Sequence, residues 1–596
     1  MLSAVNKIKG ILVRFLIWRA RHIPHRRFVL ILSFVIGLVS GGAAVVLKNT
    51  VHFTSNLILG HLDEHNAHLL FLMYPMIGIL LTVLFVRYFV KDNLGHGVSR
   101  ILYAISKQGG YIKPHNNYSS MVASTLTVGF GGSVGLEAPI VLTGSSIGST
   151  FARLLRQNFK TTTLLIGYGA AGAIAGIFKA PIAAVLFGLD ILMLDLTMSS
   201  LLPLLISAVT GATVSYFFMG KGVIFSFMVD ESYFLGDMPY YIVLGIITGL
   251  VSTYFTRITI WLESVMAKVK NIYSKIAIGG ISLGLLIYLF PPLYGEGYDT
   301  LIDLFNDRAS EIMTGTLVEG YAHQFWVVVG FLLLVLLFKV FATALTSGSG
   351  GVGGIFAPSL FMGGVVGYLS ALLINSFDFF NISPGNFALV GMAGVMAGVM
   401  HAPLTAIFLI AEITGGYQLF IPLITTATIA YLTIMYFEPH SIYTKRLAAR
   451  GELLTHNKDK SILQLIKIHS VIEKDLKKVH PDDTLRRLVK TISKSKRNIF
   501  PVVDEENTLL GIVLLDNIRE IIFNTEMYDE MKVSSLMIMP PATVSTNDTM
   551  EAVMTKFNET GAWNLPVVNQ GKYVGFISKS KLFSIYRKWL VDISMT

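Results

Sequence analysis

The 596-residue chain contains no cysteine, which excludes disulfides, thiolate metal sites and a cysteine nucleophile. Charge is also scarce. Asp, Glu, Lys and Arg make up 14% of the sequence, where a soluble globular domain carries about 25%. A deficit of that size over so long a chain means that much of the surface does not face water. Acidic residues are fewer still, 37 against 47 Lys and Arg, for a formal net charge of +10. The placement of that charge argues against a nucleic-acid partner. Lys7, Lys9, Arg14, Arg19, Arg21, Arg26 and Arg27 precede the first long apolar run, and many other cations follow residue 444. Positive charge flanking membrane spans marks the cytoplasmic side. The expectation is a multi-pass protein of the plasma (inner) membrane with both termini in the cytoplasm. No cleaved signal is evident, and the basic stretch 6–27 has apolar residues at helical spacing suited to a membrane surface.

Apolar stretches long enough to cross about 30 Å of hydrocarbon cover 28–48, 69–90, 240–262, 275–294, 324–345 and 417–437. Between them, 121–142, 164–192, 351–373 and 387–413 are apolar but interrupted by glycine and proline. Such segments predict short or discontinuous helices inside a bundle, where protein or trapped water satisfies irregular backbone. After residue 444 charged residues become frequent, and short β-rich runs alternate with amphipathic helices. The boundaries predicted are a basic segment at 1–27, a membrane domain at 28–444, a linker at 445–464 and two soluble modules at 465–527 and 528–596.

Both halves of this plan repeat internally. Gly169-Ala-Ala-Gly-Ala-Ile-Ala-Gly-Ile-Phe-Lys-Ala-Pro181 matches Gly391-Met-Ala-Gly-Val-Met-Ala-Gly-Val-Met-His-Ala-Pro403, and a carboxylate follows each, Asp190 and Glu412. Gly135-Leu-Glu-Ala-Pro139 and Gly354-Ile-Phe-Ala-Pro358 recur at almost the same separation. Transporters are often built from such halves, with the site where they meet. In the soluble part, 480–492 matches 545–557, and Ile499-Phe-Pro-Val-Val503 matches Asn564-Leu-Pro-Val-Val568. Each unit reads as helix, strand, turn, strand, helix, with Asp483 or Asp548 placed to cap the first helix.

The sharpest feature is Gly131-Gly-Ser-Val-Gly-Leu-Glu-Ala-Pro139. A carboxylate at membrane depth costs roughly 2.5–3.5 kcal/mol on insertion scales, so Glu137 needs a reason to be there. Glycines allow close backbone approach, and Pro139 suits a first helical turn. The N–H groups of Leu136 to Ala138 then form an anion site at the positive end of a helix dipole. Ser349-Gly-Gly-Val-Gly-Gly-Ile-Phe-Ala-Pro358 supplies a second set at Ile355 and Phe356, and Gly95-His-Gly-Val-Ser99 is a third glycine-rich helix start. Two such termini facing one cavity attract an anion without a fixed positive charge, and Glu137 competes as a tethered anion that swings aside when protonated. The plainer alternative is a glutamate that only caps its own helix.

With these motifs the chain resembles the CLC family of chloride channels and chloride/proton exchangers from about residue 28 to 443, and the soluble tandem resembles the CBS pair common in that family. The fold implied is an all-α polytopic membrane domain of inverted repeats with broken helices, followed by an α/β tandem CBS module. The resemblance implies chloride transport by a homodimer with a pathway in each subunit, no enzymatic activity and no required cofactor. Glu137 is then the gate. The anion-binding positions are His96, Gly97, Gly135, Leu136, Ala138, Ile355, Phe356, Ala357 and Tyr443.

There are departures from the family pattern. His96 stands where serine is usual, and Leu136 stands where arginine or lysine usually precedes the gate, weakening the local positive field. Asp190 fills a usual internal acidic position, but Ile191 falls where many exchangers carry a proton-transfer glutamate. Isoleucine cannot relay protons, which favours a channel over an antiporter. In the CBS pair only Ser578 fits the pattern that holds an adenine nucleotide, so a dimerising and gating scaffold is expected there. His61-Leu-Asp-Glu-His65 matches a zinc-protease pattern, but lies in a polar connection between spans and is read as a loop cluster. A divalent-cation transporter is disfavoured because Glu137, Asp190 and Glu412 are scattered.

Overall fold

The computed structural model describes residues 14, 16–59, 71–95, 97–193, 198–220, 222, 234–377, 382–448, 466 and 468–594. The chain divides into two units, Met1–Leu453 and Leu454–Thr596. His96 and the 61–65 motif lie outside the described residues.

Among the described residues of the first unit, eight helices are long and apolar enough to cross a membrane: His25–Ile58, Phe159–Phe178, Ser200–Met219, Leu235–Lys268, Ile272–Leu289, Phe325–Gly348, Phe356–Asn375 and Phe420–Ala448. Shorter apolar helices cover Tyr74–Val90, Pro181–Asp190, Pro384–Met400 and Pro403–Ile413. The sequence reading passed over Met198–Met219, which runs unbroken despite Pro203. The helices sort into an inner and an outer set. Of the most apolar stretches of Phe159–Phe178 and Phe356–Asn375, 89% and 78% is buried, against 33% for Ile272–Leu289 and Phe420–Ala448. Outward-facing Phe53, Phe217, Trp326 and Tyr436 are strongly exposed, which suits contact with lipid rather than water.

The inner helices are the glycine-rich ones. In lipid, helices gain little from apolar burial against each other, and close backbone approach through small residues takes its place. A side chain on Gly144 or Gly148 would strike the backbone of Gly169 or Leu165, and one on Gly363 or Gly367 would strike that of Gly391 or Phe387. Glu137–Leu154 therefore packs on Phe159–Phe178 as Phe356–Asn375 packs on Pro384–Met400. The repeat persists at the next break. Lys179 and His401 both end their helices in left-handed backbone, at φ 57° and 55°, just before the matching Ala-Pro starts.

The acidic residue of each repeat caps the other repeat's helix. Asp190 accepts the amide of Thr405 at 3.0 Å and its hydroxyl at 3.1 Å. Glu412 accepts the amides of Ile182 and Ala183 at 3.0 and 2.9 Å. Each carboxylate thus satisfies donors that the first turn of a helix leaves unpaired and complements the dipole there.

In the second unit, Ile499–Val503 pairs antiparallel with Leu509–Leu514. Val544–Ser545, Asn564–Asn569 and Lys572–Ser578 form a three-stranded sheet in that order. Helices Leu485–Ser493 and Met550–Thr560 precede the two hairpins. The hairpin turns meet, with the Leu509 amide on Gly571 O at 3.2 Å and the Tyr573 amide on Asn507 O at 2.8 Å. The expected aspartate caps are not formed. Thr549 caps the second helix through the Ala552 amide. Asp483 and Asp548 instead accept the amides of His480 and Ser545, at 2.9 and 3.0 Å. Each closes the turn before its helix, because the aspartate stands one residue ahead of the capping position.

Candidate functional site

The two glycine loops meet at the centre of the membrane unit. The Gly135 amide donates to Gly354 O at 2.8 Å, and the Gly354 amide donates to Gly135 O at 2.7 Å. This reciprocal pair fastens one repeat to the other and aims two helix starts at one place. Leu136 precedes Glu137–Leu154, and Ile355 precedes Phe356–Asn375. Gly135, expected among the anion-binding residues, thus has its amide committed to the strap.

Glu137 is 2% exposed. Its Oε1 accepts the Tyr298 hydroxyl at 2.8 Å. Its Oε2 lies over the strap, so close that a side chain on Gly135 would collide with it and one on Gly354 would come within 3.4 Å. The amide of Ala357, in the first turn of the second helix, bears on the same carboxylate. Glu137 therefore does not simply cap its own helix. Its carboxylate reaches across the junction to the other repeat, where Oε2 is buried beside both helix starts without a hydrogen-bond partner of its own among the described residues.

The remaining expected residues surround this junction. Gly97, the first residue of the third loop's helix, packs so tightly on Ala138 that a side chain there would strike the Ala138 carbonyl. That loop is held by Asp92, which accepts from Arg100, from Lys113 at 3.1 Å and from His115 at 3.0 Å. Tyr443 is buried, its carbonyl accepts the Ser99 hydroxyl at 2.9 Å, and its phenol lies within electrostatic reach of Glu137. Ile355, Phe356 and Ala357 are buried at the second helix start, where the Phe356 ring packs 5.2 Å from that of Phe178. Asp190 is not brought here, since its carboxylate is the cap on Thr405, and neighbouring Ile191 is buried. Ser578, in the second unit, donates to Glu473 at 2.9 Å and accepts the Lys581 amide at 3.2 Å.

The sequence reading missed one wall of the site. Residues 294–298 fold over the first glycine loop. The Tyr294 ring lies so close to Gly131 that it would collide with a side chain there, the Gly131 φ of 90° itself favours glycine, and the Gly295 amide reaches Gly131 O at 3.3 Å. Glu296 then accepts the Leu136 amide at 3.2 Å. Fully buried Lys339 pins the loop from behind by donating to Gly295 O at 3.2 Å. Lys48 acts electrostatically on Glu137 and Glu296. The positive field that Leu136 withholds is thus partly supplied from other helices. The signal available in the sequence was Gly295-Glu-Gly-Tyr298, a glycine-flanked acid directly after an apolar span. Among the described residues no group of acidic, histidine or cysteine side chains could hold a metal ion.

Residues 78–434 match the family model described as voltage gated chloride channel. Residues 468–524 and 533–588 each match the CBS domain. The chain is 30% identical over 387 residues to a ClcB-like chloride channel protein of Ralstonia nicotianae, covering 63% of this chain and 85% of that protein. It is 27% identical over 438 residues to the H(+)/Cl(-) exchange transporter ClcA of Vibrio cholerae, covering 70% and 89%. The crystal structure of a slow cyanobacterial Cl-/H+ antiporter superposes with a TM-score of 0.60 at 25% identity, over 72% of this chain and 98% of that one.

Proposed function

Because this chain belongs to the voltage gated chloride channel family, we propose that it conducts chloride through the junction of its two repeats, with Glu137 as the gate. One observation carries the reading. A buried carboxylate lies over the Gly135–Gly354 strap, in the seat that peptide dipoles at two helix starts would offer an anion. Ionised, Glu137 holds that seat against chloride. Protonated, it loses its attraction for the amides and yields. Peptide dipoles suit this task because a full fixed charge would hold the ion too firmly for release.

The pathway is channel-like in this reading. Ile191 has no proton to pass, and Asp190 beside it is engaged by Thr405. The CBS pair regulates it, and two subunits assemble with one pathway each. Proton-coupled exchange is the second reading, favoured by the Vibrio cholerae relative and the cyanobacterial structure, both named as exchangers.

Chloride efflux from liposomes, measured together with proton movement under an imposed chloride gradient, separates the two. Channel-like conduction moves chloride alone, whereas protons driven uphill establish exchange. In the same assay Glu137→Gln is expected to abolish most of the pH dependence of flux. Full pH dependence retained by that variant removes Glu137 from the gate.

A further inference from the structure

We propose that Glu296 is a second acid of the gate, a positioning residue that occupies the Leu136 amide and sets, through its charge, the pH at which Glu137 yields. This rests on the reading of Glu137 as the gate. Three observations support it. First, Glu296 Oε1 takes the Leu136 amide at 3.2 Å, one of the donors of the first helix start, so its carboxylate holds a place an approaching anion would use. Second, Glu296 keeps some surface accessibility where Glu137 is 2% exposed, so it is the more accessible of the two carboxylates. Third, its loop is held from two sides, by Gly131 O on the Gly295 amide and by Lys339 on the Gly295 carbonyl. A carboxylate on so fixed a loop is built into the site.

The charged and titratable groups facing Glu296 come from four elements. Glu137 lies on Glu137–Leu154, Lys48 on the first long helix, Lys339 on Phe325–Gly348 and Tyr298 at the start of the short helix Tyr298–Phe305. The lysines offset part of the negative charge. The two carboxylates remain the like-charged pair, joined through adjacent backbone at Leu136 and Glu137, and each makes ionisation of the other less favourable. A proton taken up by Glu296 relieves that repulsion, and a proton on Glu137 frees it from the seat. Tyr298, which donates to Glu137 at 2.8 Å, lies within electrostatic reach of both acids.

Glu296→Gln tests this, because the carboxamide oxygen still accepts the Leu136 amide while the charge is removed. Chloride flux from liposomes is measured over an acid-to-neutral pH series for wild type, Glu296→Gln, Glu137→Gln and the double variant. Without the charge at 296, Glu137 ionises more readily and holds its seat to lower pH. The flux midpoint of Glu296→Gln is therefore expected about one pH unit to the acid side of wild type, and the double variant is expected to match Glu137→Gln. A wild-type midpoint in Glu296→Gln, with Glu137→Gln flat, overturns this inference and leaves the gate standing. Full pH dependence in Glu137→Gln overturns the gate itself. A double variant that differs in pH response from Glu137→Gln shows Glu296 acting independently of the gate and also overturns the inference. If Glu296→Gln yields no folded protein, Glu296→Asp is the variant read. Its carboxylate cannot reach as far, and a midpoint displaced in the same direction is expected, an unmoved one being fatal.

Discussion

Asp190 and Glu412 show how a membrane domain accommodates a carboxylate. A carboxylate at membrane depth is costly unless its oxygens meet donors, and the first turn of a broken helix leaves amides unpaired. Each side chain resolves the other's problem across the repeat boundary. Replacing an N-terminal capping side chain by alanine costs about 0.5–2 kcal/mol, so Asp190→Ala and Glu412→Ala are each expected to lower the thermal unfolding temperature in detergent. The effect should exceed that of an alanine at an exposed apolar position such as Leu404. Equal unfolding temperatures for Asp190→Ala and wild type would show that the cap contributes nothing.

Among the elements, the glycine helices set the geometry of the site. The helix that begins at Glu137 stands where it does because its own glycines let it lie against the backbone of Phe159–Phe178. Gly148→Leu forces a side chain into the Leu165 backbone, and Gly367→Leu does the same at Phe387. Both are expected to abolish folded, monodisperse protein on size-exclusion chromatography, since neither neighbour is a side chain that can rotate away. Gly42→Ala is the control, because nothing lies within 4 Å of a Cβ there, and it should behave as wild type. Folded, monodisperse Gly148→Leu and Gly367→Leu proteins would mean that close approach does not govern these positions, since leucine favours a helix over glycine and only the contact opposes it.

Taken as a whole, the molecule joins a domain short of charge to one rich in it, and acid should affect the two differently. Burial works to raise the Asp548 carboxyl, but the Lys556 ammonium at 2.7 Å and the Ser545 amide at 3.0 Å hold it below its ordinary value. A carboxylate depressed in the folded state contributes stability above its unfolded value, and that contribution is lost as pH falls toward the folded one. Asp548→Asn is therefore expected to lower the unfolding temperature of the second unit at neutral pH. The gap to wild type should narrow once the pH drops below about 4, the unperturbed aspartate value. A gap that is constant with pH would mean the loss comes from packing and not from charge.

The sequence by itself determined the membrane character, the internal repeats and the tandem soluble modules, and it singled out Glu137 as an acid in an apolar segment. These follow from local quantities: long apolar runs, recurrent glycines, and a lone acid in a segment with no water to pay for it. Only the tertiary structure decided which donors the acids meet. That Glu137 reaches the other repeat, that Asp190 and Glu412 exchange caps, and that Glu296, Tyr298 and Lys339 form a wall of the same site all depend on segments far apart in the chain. Hydrogen bonds across a fold are set by how backbones pack, and periodicity along one helix carries no record of its partner on another.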